Sequence, residues 1–185
     1  MRELLSRSEI LRKVVHFTGL VYIPAYLQLG RDLLLICILI VFFLVSLLEF
    51  FRLKYGLLEG FVRDYERERI GAHIYFGIAV LVITAIFPGD CCITSVAIAL
   101  LGDGVAGILK VLNLRRFASV SMFSSSALAC LALTSVGIRL IPAIIACVTS
   151  TAVERVERIG KYYLNDNLTI PLTAAITYEL AKYIF

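Results

Sequence analysis

Cys92-Ile-Thr-Ser-Val-Ala-Ile-Ala-Leu-Leu-Gly-Asp-Gly-Val-Ala-Gly-Ile-Leu-Lys-Val-Leu112 is apolar and long enough to cross a bilayer, yet it carries a carboxylate, Asp103, between Gly102 and Gly104. A spanning helix needs about 20 apolar residues. A charge at its centre costs roughly 2.5–3.5 kcal/mol on insertion scales. Asp103 therefore either pairs with a basic residue on a neighbouring helix or has a functional role, and the second is the default reading of an intramembrane carboxylate. The flanking glycines let another backbone, a phosphate or a metal approach closely.

The rest of the chain is of the same kind. Hydrophobic residues make up 60% of the 185, and the mean hydropathy is +0.91. That composition excludes an ordinary soluble domain. Seven apolar stretches stand out, at Val14–Leu29, Asp32–Leu53, Ala72–Phe87, Cys91–Leu112, Ala118–Val136, Leu140–Val153 and Leu168–Phe185. The first, third and sixth are short for a span. The fold expected is all-α: a polytopic membrane helical bundle of about seven transmembrane helices. It forms one domain over residues 1–185, with residues 1–13 as an amphipathic cytoplasmic segment. No small-residue cleavage site follows that segment, so it does not read as a signal peptide.

Charge placement gives the orientation. With the N-terminus cytoplasmic, fifteen of the eighteen Lys and Arg residues fall on the inner side, leaving Arg31, Arg139 and Lys182 outside. Such a bias is the positive-inside pattern. The formal charge of +4 is thus a topology signal rather than a mark of nucleic-acid binding, and a basic inner face suits anionic headgroups. A compact chain without a targeting segment fits a prokaryotic plasma membrane. The five cysteines lack the spacing of a metal site and read as small buried hydrophobes.

Five polar clusters interrupt the apolar pattern, all toward the inner face. Arg12-Lys13-Val-Val-His16 puts Arg12 and His16 on one helical face, suited to phosphate or to anchoring. In the segment from Tyr65 to His73, Glu66, Arg69 and His73 are spaced for one face, a pattern more often structural than catalytic. The segment around Asp103 ends in Lys110 and runs on to Arg115-Arg116. It offers a carboxylate for a divalent cation and cations for phosphate, without being a Walker A loop. Ser119 to Ser126 holds five serines, which favour close helix packing and can also donate to phosphate. The last cluster has Glu154, Glu157 and Arg158, then Asp166-Asn167 before the final stretch, as its N-cap or as oxygen ligands. Together they suggest an inward-facing polar site roofed by apolar helices, suited to joining a soluble nucleotide to a lipid.

The order of these motifs resembles the CTP-dependent lipid kinases, the group of dolichol kinase, phytol kinase and CTP-dependent diacylglycerol kinase. The resemblance runs from Arg12 to Pro171: Arg-Lys-x-x-His, Glu-Arg-x-Gly, Gly-Asp-x-x-Ala, a hydroxyl-rich stretch, a Glu, then Asp-Asn-x-x-Ile-Pro. It implies a membrane enzyme that uses CTP and Mg²⁺ to phosphorylate a lipid alcohol, of dolichol or polyprenol type, at the cytoplasmic face. It points to Lys13, His16, Glu68, Gly71, Gly102, Asp103, Ala106, Lys110, Glu154, Asp166, Asn167 and Pro171. The roles expected are Asp103, Glu154 and Asp166 as catalytic carboxylates, with Asp103 and Asp166 holding the metal. Lys13, His16, Gly102, Gly104, Lys110, Arg115, Arg116 and Asn167 would bind nucleotide or phosphate. The chain departs from the family at Ser121-Met-Phe-Ser, where Phe123 stands in place of Glu and Ser124 in place of Gly. It also lacks a clear Gly-Arg or Gly-Lys pair after Gly107. The alternatives are therefore a cytidylyltransferase acting on a phospholipid, and a non-catalytic lipid-binding or transport relative.

Overall fold

A computed structural model describes residues 13–56, 68–156, 158–160 and 162–185. Arg12, Glu66 and the expected amphipathic segment before Lys13 lie outside them. The described chain is helical, apart from a two-stranded antiparallel hairpin of β1 (Arg158–Ile159) and β2 (Tyr162–Tyr163) that the apolar pattern does not foretell. Three helical stretches are long and apolar enough to cross a membrane: Lys13–Tyr55, Gly89–Val111 and Arg115–Val136. Shorter apolar helices occupy Ala72–Ile86 and Leu140–Glu154.

The first stretch, α1 (Lys13–Tyr55), contains a 3-10 turn at Gly19–Val21 and breaks at Gly30, where φ is 73° and ψ 177°. That conformation is open to glycine and closed to residues with a Cβ. Contacts show that the chain reverses there. Before the break, His16 meets Phe76 and Tyr22 meets Thr84, moving up α2 (Ala72–Ile86). After it, Arg31 donates to the carbonyls of Thr84 and Ala85, Phe42 packs on Gly77, and Glu49 reaches Gly71, moving back down. The two limbs of α1 are thus antiparallel, and the reversal falls between the apolar stretches ending at Leu29 and beginning at Asp32.

The stretch Gly89–Val111 is the central helix, with 67% of its most apolar window buried against 11% and 22% for the other two long stretches. It consists of α3 (Gly89–Ala97), a π-helical turn (Ile98–Asp103) and α4 (Gly104–Val111). Its end is closed by Asn113 at φ 62°, with Leu114 N–H donating to the Leu109 carbonyl and Asn113 N–H to that of Lys110. This is a Schellman stop, for which Asn is the next-best residue after Gly. A 3-10 turn (Arg115–Phe117) leads into α5 (Ala118–Leu133), which closes in the same way at Gly137, φ 93°. Then come α6 (Leu140–Glu154), the hairpin and α7 (Asp166–Lys182).

Small residues set the packing. Ala143, Ala146 and Cys147 on α6, with Ala174 and Ala175 on α7, are wholly buried, letting backbones come close as in membrane bundles. Leu128 and Val148 face outward, as do most of the large apolar residues in the second limb of α1. Such a surface matches hydrocarbon, not water. The far end of the bundle is tied by Asp90, whose carboxylate accepts from Tyr178 Oη at 3.3 Å and pairs with Lys182 at 2.9 Å.

Candidate functional site

The opposite end of the bundle gathers residues remote in sequence. Lys13 Nζ lies 2.7 Å from Asp103 Oδ2 and also donates to the Asp103 carbonyl at 3.2 Å. His16, one turn on, sits 3.9 Å from the same Oδ2 and 3.4 Å from the Ala99 carbonyl. The ion-pair alternative for Asp103 is therefore realised, with Lys13 as the neighbouring base. A buried charge that lost such a partner would be strongly destabilised.

The glycines on this helix are occupied by the protein itself. A Cβ on Gly107 would lie 2.1 Å from Lys13 Cε. One on Gly104 would lie 2.5 Å from the Phe17 ring, and one on Gly102 2.3 Å from Ser126 Oγ. Gly102 and Gly104 were expected to admit phosphate, but here they admit neighbouring side chains. Ala106 is buried in the same interface. The π-helical turn ends at Asp103, and such turns are over-represented at functional sites because they re-aim side chains.

A second pair lies beside the first. Lys110 Nζ contacts Glu154 Oε1, and Ser119 Oγ donates to Glu154 Oε2 at 3.4 Å. Arg155 Nε in turn donates to Ser119 Oγ at 3.0 Å. The Glu154 side chain is only 3% exposed and ends α6, where the helix dipole disfavours an anion, so Lys110 carries its compensation. Asp166 opens α7. Burial, followed by the negative charges of Asp103 and Glu154, pushes its carboxyl up to about 6, against the pull of Lys110 and Lys13. Three carboxylates and two lysines thus share one electrostatic environment.

Some expected members stand elsewhere. Asn165, not Asp166-Asn167, caps α7: its Oδ1 accepts from Asn167 N–H at 3.1 Å. Asn167 lies in the first turn, and Pro171 within the helix cannot supply the N–H that would bond the Asn167 carbonyl. Arg115 and Arg116 are exposed, with Arg116 over the Phe117 ring at 4.9 Å, so neither joins the two ion pairs. Glu68 is exposed in a turn. Arg69 also precedes α2, which begins only at Ala72, so Arg69 and His73 do not share a helical face. Phe123 packs against the core.

One buried cluster was not foreseen. Glu49 accepts from Arg52 Nε and Nη2, both at 2.7 Å, and from Gly71 N–H at 2.6 Å, with His73 Nε2 at 3.3 Å. Arg52 also donates to the Arg69 carbonyl at 2.6 Å. The cluster pins the start of α2 to the second limb of α1, and a Cβ on Gly71 would meet the tip of the His73 ring at 2.5 Å. The available signal was an acid and a base three apart inside an apolar run. Comparison with protein-family models, with curated proteins and with solved structures gives no match.

Proposed function

We propose that this chain is a CTP-dependent lipid kinase. It would carry the γ-phosphoryl group of CTP to the hydroxyl of an isoprenoid-type membrane alcohol at the cytoplasmic face. The observation that carries the reading is the joining of Lys13, Asp103, Lys110, Glu154 and Asp166 at one end of an apolar bundle. Phosphoryl transfer asks for positioned charge more than for covalent chemistry. In this reading all seven apolar stretches cross the membrane, the last beginning at Leu168, the N-terminus is cytoplasmic, and the host is a prokaryotic plasma membrane.

The donor set suits a divalent cation only in a particular way. Among the described residues no group of three or more His, Cys, Asp or Glu side chains is placed to hold an ion. Asp103 would hold Mg²⁺ as a single carboxylate that leaves its other positions to water and phosphate oxygens, and Asp166, the alternative ligand, is then left to take the proton. When bound, it supplies charge neutralisation between the phosphates. Lys13 and His16 turn from Asp103 toward the phosphates, and Lys110 faces the transferred group. The alcohol oxygen attacks the γ-phosphorus, the bond to the β–γ bridging oxygen breaks, and CDP leaves. The alcohol proton passes to Asp166, whose carboxyl is tuned to accept it near neutral pH.

Purified protein, γ-³²P-CTP and a panel of lipid alcohols test the reading, with ATP for comparison. Labelled lipid and released CDP are expected, and Asp103→Asn, which leaves Lys13 without this counter-ion and so is assayed below its lowered melting temperature, should lose about 10²–10³-fold in rate. Unchanged turnover in that variant removes Asp103 from the chemistry. Release of pyrophosphate in place of CDP identifies a cytidylyltransferase. The core position of Phe123, in place of the family's Glu, favours the non-catalytic relative if no lipid is labelled.

A further inference from the structure

Ser126 and Ser150 break a general rule. Both are wholly buried, and neither Oγ has a hydrogen-bond partner. Buried hydroxyls almost always find one. Ser95, Ser121 and Ser125 follow the usual course and donate to carbonyls about one turn back.

The two orphaned hydroxyls belong to one junction. α5 and α6 are antiparallel, and the Sγ atoms of Cys130 and Cys147 approach to 3.8 Å. One turn toward the inner end from that contact lie Ser126 on one helix and Ser150 on the other. One turn further along α6 is Glu154. The third wall is the π-helical turn: a Cβ on Gly102 would lie 2.3 Å from Ser126 Oγ, and Ser125 donates to the Leu101 carbonyl at 3.3 Å. The hydroxyl of Ser126 is therefore aimed at the backbone one residue before Asp103. On the outer surface of the same two helices, Val120, Leu128 and Val148 are exposed and apolar.

We infer that this junction is the acceptor subsite and takes the neutral hydroxyl of a lipid alcohol, which enters between α5 and α6 from the bilayer. The inference rests on the phosphotransfer reading and adds to it the place of the acceptor. A serine hydroxyl both donates and accepts, as an alcohol does, so two serines can bracket one incoming hydroxyl. A phosphate or ammonium headgroup would find no countercharge in these two side chains. The position puts the nucleophilic oxygen next to the Gly102-Asp103 backbone and one turn from Glu154, with its tail toward the exposed apolar residues. The seam is closed over the two hydroxyls in the described form, so entry parts α5 from α6.

The test uses a long-chain prenyl alcohol with a diazirine beside its hydroxyl, and the matching methyl ether, on the full chain in detergent without nucleotide. The alcohol should label α5 and α6 around Ser126 and Ser150, and the ether about fivefold less. Ser126→Ala with Ser150→Ala should lower labelling about tenfold and raise KM for the alcohol similarly, with KM for CTP unchanged. That double variant removes two unmet groups, so it should melt no lower than the parent. Labelling confined to the second limb of α1, or unchanged in the double variant, overturns the subsite. Labelling at the junction by a protein that transfers no phosphate keeps the subsite and sinks the kinase reading. Transfer with labelling elsewhere does the reverse.

Discussion

Replacing Asp166 by Asn removes a charge that the folded protein tolerates poorly. Its carboxyl is raised from 3.8 to about 6, first by burial and then by Asp103 and Glu154. At about 1.4 kcal/mol per pH unit, that rise corresponds to about 3 kcal/mol between the two protonation states. The folded protein binds this proton more tightly than the unfolded chain. The contribution to stability is therefore fully present below pH 3.8 and is lost as pH rises through about 6. Asp166→Asn cannot titrate. It should match the parent near pH 4 and exceed it by up to about 3 kcal/mol at neutral pH. Melting of both proteins in detergent across that range measures the difference. Infrared difference spectra, parent minus variant, follow the protonated carboxyl directly. A carboxyl band that vanishes near pH 4, or a stability difference that does not grow with pH, refutes the raised carboxyl of Asp166. Catalysis has the opposite sign: if the ionised form accepts the alcohol's proton, turnover falls as pH drops through about 6.

Two further substitutions probe the neighbouring contacts. Gly107→Ala places a methyl 2.1 Å from Lys13 Cε and should displace the lysine from Asp103, lowering phosphotransfer at least about tenfold; activity equal to the parent would mean the pair is dispensable. Glu49→Gln removes the charged acceptor of Arg52 and of the Gly71 N–H and should cost about 1.5–3 kcal/mol, read as a lower melting temperature in detergent.

The helices were legible because apolar run length is a property of the chain itself. Ala72–Ile86 and Leu140–Glu154 begin at the residues where the apolar stretches begin. The reversal at Gly30 was legible as a gap between two stretches, and its cause, a backbone only glycine adopts, was not. Asp103 announced itself because a lone carboxylate in an apolar run has few explanations. Its partner did not, since Lys13 is one of many inner-side cations and only the packing of α1 against Gly104 and Gly107 selects it. Gly102 and Gly104 were ambiguous for a related reason. Glycine permits close approach without saying what approaches. Glu49 and Arg52 were passed over because an acid and a base three apart usually mark a solvated helix face, whereas their side chains here are 6% and 4% exposed. The hydroxyl stretch read as packing, and Ser125 and Ser126 do pack against the π-helical turn.

The ion pair between Lys13 and Asp103 joins residues 90 apart in sequence. It sets an order of events during synthesis. Translation completes Lys13, both limbs of α1 and then α2 before the central helix emerges. When Asp103 is made, the residue that becomes its counter-ion already exists. The carboxylate costliest to bury thus finds its lysine on a part of the chain made much earlier, against which Gly104 and Gly107 pack.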